Sequence, residues 1–193
     1  MKKRRGGCLR PIIFILLAVF LLYFTVGNGK TFILKKLYPI EYQEAVERYA
    51  EEYSLDRYLV YAVIKVESGF NENAVSVAGA KGLMQLMETT AQDCNSKADF
   101  GYTIPDDLFV AEHNIRLGCY YLRQLLDNYG DIKLAITAYN GGTGNVDKWL
   151  KDKTLADGKG GLSDIPYSET KRYVKKVIKA YETYNNLYKY NNI

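Results

Sequence analysis

The chain has 193 residues, is 48% hydrophobic, and carries a formal net charge of +4 and one histidine. That length suits one domain with appendages. Residues 1–27 hold five basic and no acidic side chains, so 21 of the 26 basic residues face all 22 acidic ones in the remainder. A near-neutral remainder does not support nucleic-acid binding, which wants a basic face.

Lys2, Lys3, Arg4, Arg5 and Arg10 flank an apolar run from Ile12 to Val26. The pattern reads as a membrane-inserting segment over 11–27, behind a basic cytoplasmic flank over 1–10. A cleaved signal needs small residues before the cut, and Thr25-Val26-Gly27 is a poor candidate. An uncleaved anchor is the preferred reading. Pro11 to Val26 covers only about 24 Å as a helix, against a hydrocarbon core of about 30 Å. Snorkelling arginines can cover the shortfall. The positive-inside rule puts the N-terminus in the cytoplasm and the rest outside. Cys8 precedes the apolar run, so it is not placed as a lipoprotein cysteine; it is cytoplasmic and reduced, or lipidated at the membrane.

Residues 28–40 read as a juxtamembrane linker and 41–193 as the folded domain. Glu41 to Tyr53 is expected as a helix. Ser54 is expected to cap the next one, with Asp56 in its first turn. Leu59, Ala62, Val63 and Val66 recur there at helical spacing. Asn71 to Gly82 should be loop or a short hairpin, and Glu88 to Cys94 a short helix. Phe100 to Asp107 is irregular. Leu108 to Tyr129 should be the longest helix, with Ile115, Leu122 and Leu126 on one side and Gly130 as its stop. Asp131 can cap Ile132 to Tyr139. Val146 to Leu150 carries Trp149. Lys151 to Ser163 is a charged, glycine-rich loop. Tyr167 to about Tyr188 closes the domain, with Val174, Val177, Ile178 and Tyr181 inward. The sum is a mainly α domain.

Glu67 directly follows Val66, and Gly69 sits where a helix usually stops. A carboxylate at a helix C-terminus meets the negative end of the macrodipole. Partial desolvation adds to that, and both favour the protonated form that a general acid needs. His113, the one histidine, lies in a helical segment with no Ser-His-Asp or Cys-His company. No cluster has metal-ligand spacing. Cys94 and Cys119 read as two buried free thiols, or as a pair if their geometry allows it.

Four ordered blocks then stand out. They are Glu67-Ser68-Gly69-Phe70, Gly79-Ala80-Lys81-Gly82-Leu83-Met84-Gln85-Leu86-Met87, Ala138-Tyr139-Asn140-Gly141-Gly142, and Ile165-Pro166-Tyr167 with Glu169-Thr170 and Tyr173-Val174. Together, over Asp56 to Val177, they resemble the soluble-type lytic transglycosylases, relatives of goose-type lysozyme. Two positions depart from that pattern. Glu88 stands where the family usually has proline, and Gly141 where it usually has alanine.

The resemblance implies a lysozyme-like fold, preceded here by the N-terminal transmembrane segment, and an enzyme of peptidoglycan. It implies cleavage of the β-1,4 bond between N-acetylmuramic acid and N-acetylglucosamine to give 1,6-anhydro ends, with no cofactor or metal. Glu67 is then acid and afterwards base. Ser76 contacts the acetamido region. Gln85 and Met87 line the sugar groove, and Tyr139 and Asn140 orient the substrate. Glu169 contacts its peptide or sugar portion. The implied partners are glycan strands and, through the N-terminal segment, the cell membrane, with the domain on the extracytoplasmic side. A hydrolytic muramidase on the same fold and a wall-binding module of a secretion or conjugation apparatus are the alternatives. Neither Glu72, Glu88 nor Asp93, the acids near Glu67 in sequence, matches a second catalytic carboxylate.

Overall fold

The structure, a computed structural model, describes residues 13–17 and 29–189. The chain divides into two units, Met1–Pro39 and Ile40–Ile193. In the first, residues 13–17 and 29–37 are helical, the latter inside the segment expected as a linker. The expected membrane span over 11–27 lies outside the described residues except for 13–17. Among the described residues no helix is long and apolar enough to cross a membrane.

The second unit is mainly helical, as expected. Its helices are α1 (Gln43–Glu52), α2 (Arg57–Glu67), α3 (Glu88–Ala98), α4 (Ala111–Tyr129), α5 (Ile132–Gly141), α6 (Thr143–Lys151) and α7 (Ser168–Tyr184). A 3₁₀ turn, Asp106–Phe109, precedes α4, and a π turn, Asn185–Lys189, follows α7. The longest helix therefore starts later than the sequence pattern suggests. Val110 is extended between the 3₁₀ turn and α4, and breaks the run.

The start of α2 also differs from expectation. Ser54 adopts a left-handed conformation with φ 50°. Asp56 is the cap instead, its carboxylate accepting from the Tyr58 amide at 2.8 Å. The other oxygen of Asp56 accepts from the Tyr181 hydroxyl at 2.8 Å, tying the start of α2 to α7. Asp131 caps α5 as expected, accepting from the Leu134 amide at 2.9 Å.

Helix α2 is the centre of the domain. Tyr58 to Ile64 are all buried, not only one stripe, because α1 and α7 both pack on it. A helix that is apolar all round is a core helix. Each fully buried aliphatic side chain there, such as Val60 or Ile64, contributes roughly 1.5–3 kcal/mol. Val66, expected in the stripe, is half-buried at the open end. On α4 it is Leu125 that is buried and Leu126 that is half-buried. On α7 the buried set is Tyr173, Val174, Val177, Ala180 and Tyr184, with Ile178 and Tyr181 at its edge. Tyr184 stacks on Tyr61 at 5.6 Å, so the C-terminal tyrosines are largely packing groups.

Cys94 and Cys119 are buried free thiols. Burial pushes the Cys94 thiol up to about 12. His113 stacks on Tyr102 and sits 3.1 Å from Asp107, a surface-side structural role.

Candidate active site

Helix α2 ends at Glu67, and the next three residues reverse the chain. Gly69 and Phe70 both have positive φ. Phe70 is buried against Tyr61, which holds its strained backbone in place. Ser68 supplies the hydrogen bonds that the turn needs. Its hydroxyl accepts from the Phe70 amide at 3.2 Å and donates to the Leu83 carbonyl at 2.8 Å. The residue after Glu67 thus fastens the second sequence block to the end of α2.

That second block is a small antiparallel meander. Val75 bridges to Lys81 and Lys81 to Leu86. Asn114, wholly buried on α4, holds it from beneath. Its amide donates to the Lys81 and Leu108 carbonyls at 3.1 and 2.9 Å, and its oxygen accepts from the Met84 amide at 2.8 Å. Gly82 has φ +76°, and a Cβ there would stand 2.2 Å from both the Asn114 amide nitrogen and the Leu108 carbonyl oxygen. No other residue fits. Lys81 pairs with Glu88, so the residue that departs from the family's proline braces the same loop by charge.

Above this platform lies an open groove of about 1060 Å³. All seven residues implied by the sequence line it: Glu67, Ser76, Gln85, Met87, Tyr139, Asn140 and Glu169. Their side chains are not equally free. Tyr139 donates its hydroxyl to the Met84 carbonyl at 2.8 Å, so its ring forms wall and its oxygen holds the platform. Gln85 spends both amide protons on the Ala74 and Gly82 carbonyls, at 3.0 and 2.9 Å. Ser76 accepts from the Ala80 amide at 3.0 Å. Met87 is 42% exposed, whereas Met84 and Leu86 are core. Asn140 and Glu169 are exposed. A methyl on Gly141 would stand 3.2 Å from Thr170 Cγ2, so glycine at this departure leaves room for the Thr170 wall.

Glu67 is the one strongly perturbed carboxyl of the groove. Desolvation pushes it up to about 7, against the opposing pull of a hydrogen bond from Tyr173. The Tyr173 hydroxyl donates to Glu67 Oε1 at 2.6 Å. Burial and the Glu67 charge raise the phenol well above its ordinary value, so it stays a donor. Tyr173 lies in the fourth sequence block but was assigned no role there; only the tertiary packing of α7 on α2 brings the two together. Asn114 was also missed, although a polar residue among Ile115, Leu117 and Leu122 is a signal of a buried hydrogen-bonding task. The three acids near Glu67 in sequence are engaged elsewhere. Glu72 accepts from Tyr42 at 3.3 Å, Glu88 pairs with Lys81, and Asp93 with Lys97 at 2.7 Å. Glu169 is the groove's other carboxylate. Among the described residues no group of His, Cys, Asp or Glu could hold a metal ion.

Fold and site together define a lysozyme-like helical domain with a single desolvated carboxylic acid on an open groove. Comparison with known proteins places this more closely. Residues 44–159 match the model of the transglycosylase SLT domain. The chain is 33% identical over 154 residues to the soluble lytic murein transglycosylase of Escherichia coli (strain K12), covering 78% of this chain and 24% of that protein. It is 35% identical over 166 residues to the membrane-bound lytic murein transglycosylase C of Serratia proteamaculans (strain 568), covering 75% of this chain and 46% of that one. Among solved structures it superposes on an inactive glutamate-to-glutamine mutant of the lytic transglycosylase Slt from Pseudomonas aeruginosa. The TM-score is 0.70 and the identity 34%, covering 77% of this chain and 24% of that one. The chain belongs to the transglycosylase SLT domain family. It spans about a quarter of the length of the soluble relative and under half of the membrane-bound one.

Proposed function

We propose that this protein is a peptidoglycan lytic transglycosylase in which Glu67 serves as acid and then as base. One observation carries the reading: of the two carboxyls lining the groove, Glu67 is the desolvated one, pushed up to about 7. A carboxyl poised there is protonated often enough to act as acid and ionised often enough to act as base. The relatives are lytic murein transglycosylases by name, and the inactive Pseudomonas protein carries a glutamate-to-glutamine change.

The steps follow from that one group. Protonated Glu67 gives its proton to the glycosidic oxygen as the bond to C1 of N-acetylmuramic acid breaks. The sugar's own 2-acetamido group stabilises the cationic carbon. The Glu67 carboxylate then takes the proton of the C6 hydroxyl, and that oxygen bonds to C1. The product is a 1,6-anhydro end, with no water consumed. Intramolecular attack has the large effective concentration that proximity supplies. A hydrolase must instead hold a water opposite the leaving group or use a second carboxylate as nucleophile. Tyr173 keeps the Glu67 carboxyl oriented through both steps. Met87 and the Tyr139 ring supply apolar wall for sugar faces, while Asn140 and Glu169 offer free polar groups. The basic flank and apolar run before residue 28 support a membrane-anchored enzyme with this domain outside.

The test is product analysis. Digestion of purified sacculi should give muropeptides ending in 1,6-anhydro-N-acetylmuramic acid, unlabelled when the reaction runs in heavy-oxygen water. Reducing ends that take up the label would replace this reading with a muramidase.

A further inference from the structure

Charge is unevenly shared along the domain. Residues 28–129 carry 10 basic and 15 acidic side chains, whereas residues 130–193 carry 11 and 7. The positive excess gathers on α7. Arg172, Lys175, Lys176 and Lys179 are all exposed. They recur at i, i+3, i+4 and i+7, which sets them on one face of the helix. The opposite face, with Tyr173, Val174, Val177 and Tyr184, is buried. The four cations lie within about 10 Å along the helix axis, close to one Debye length, so they act as one patch. Lys133, exposed at the start of α5, lines a shallow depression with Lys175 and Lys179 and adds a further charge beside them. Glu169 and Glu182 bound the stripe at its two ends.

Among the described residues none of the four cations of the stripe forms an ion pair; on α7 only Lys171 does, with Asp164, whose carboxylate Lys175 also attracts at longer range. Other helix faces of the domain alternate in sign. Arg48 pairs with Glu44, Lys97 with Asp93 and Arg123 with Asp127, each one turn apart. That alternation is what solubility asks of a surface. On α7 the same spacing joins like charges, Arg172 with Lys176 and Lys175 with Lys179, and such pairs destabilise a helix. An anionic partner relieves that repulsion. The N-terminal segment indicates which partner. Residues 28–40 span at most about 45 Å, so an anchored domain stays beside lipid. Resting on the anchor proposed above, and not on the chemistry at Glu67, we infer that the cationic face of α7 docks on an anionic lipid surface. Its ammonium and guanidinium groups meet the headgroup phosphates. Glu169, one turn before Arg172, lines the groove, so a docked α7 keeps the site close to the membrane surface.

The experiment places the full chain in vesicles of phosphatidylcholine alone, or of phosphatidylcholine with phosphatidylglycerol, and reads the acetylation rate of each lysine by mass spectrometry. Lys175, Lys176 and Lys179 should react several-fold more slowly in the anionic vesicles, and high salt should restore their rates. Lys148 and Lys151, exposed on α6, should react alike in both. Each cation near an anionic surface is worth roughly fivefold in the docking equilibrium, so Arg172→Gln with Lys176→Gln should weaken it about 25-fold. Lys175 and Lys179 then lose their protection, while the circular dichroism spectrum and turnover of sacculi without lipid stay unchanged. Equal rates in the two vesicle types overturn the inference. Protection that survives in the double variant does so too. An equal loss in Lys148→Gln with Lys151→Gln also overturns it, since net charge alone would then act. Protection by soluble polyglycerol phosphate, with none in the anionic vesicles, assigns the face to an anionic polymer instead. Alkaline extraction separates this inference from the anchor. A chain that resists extraction but shows no protection keeps the anchor and loses the docking face. A chain that is extracted, yet was protected, keeps the docking face and loses the anchor.

Discussion

The hydroxyl of Tyr173 lies 2.6 Å from Glu67 Oε1, across 106 residues of sequence, and donates to it. Two opposing influences meet in that contact. Desolvation holds the carboxyl protonated to about pH 7, and the phenol steadies the ionised form. Replacing Tyr173 by Phe removes the second influence alone. The Glu67 pKa should then move up from about 7, and the alkaline limb of the pH–rate profile should move to higher pH with it. An unchanged limb together with a lower rate would show that Tyr173 acts only on packing.

Glu67→Gln keeps the shape and leaves an amide oxygen to accept from Tyr173. Turnover should fall on the order of 10²-fold or more, the scale of general acid–base catalysis. Binding of sugar oligomers, measured by calorimetry, should persist. Near-normal turnover would remove Glu67 from the mechanism.

The same substitution should change stability in a pH-dependent way. The carboxyl is raised in the folded state, from an ordinary 4.5 to about 7. Between those values the unfolded chain releases the proton and the folded chain keeps it, so folding loses stability as pH rises through that window. Above pH 7 the full penalty stands, at roughly 3 kcal/mol. Below pH 4.5 it vanishes. Chemical denaturation should therefore show Glu67→Gln more stable than wild type at pH 8.5, with the gap closing at pH 4.

Asn114→Ala breaks three hydrogen bonds at once and takes their side-chain partner from the buried Met84 amide and Leu108 carbonyl, while the Lys81 carbonyl keeps the Leu86 amide. A cost of roughly 2–4 kcal/mol is expected from unsatisfied buried groups. The platform that carries Gln85 and Met87 loses its support, so kcat/KM should fall although no substrate contact was removed. A drop in melting temperature without loss of kcat/KM would separate the brace from function.

Much of this was readable in the sequence because it was local. Seven helices follow from apolar spacing, and Gly130 and Asp131 punctuate two of them by their own chemistry. That seven expected residues line one groove follows from short segments: six lie in the four blocks and Ser76 in the loop between the first two. What escaped was long-range. Tyr173 reaches Glu67, and Asn114 the second block, only after α7 and α4 have packed. No periodicity reports which hydroxyl ends beside which carboxyl. The boundary at Val110 was hidden because the apolar pattern runs through it, although the backbone is extended there. Ser54 and Asp56 are both good caps, and local preference did not choose between them.

Ser68 gives the site a mechanical property. The side chain next to Glu67 is bonded to the Leu83 carbonyl at 2.8 Å, so the acid and the floor of the groove belong to one stiff body. Thermal fluctuation of the exposed tip around Val77 leaves the register between acid and floor intact. Warming should therefore loosen the mouth of the site well before it blurs the aim of the proton, and amides at Lys81 and Leu86 should exchange with deuterium far more slowly than those at the tip.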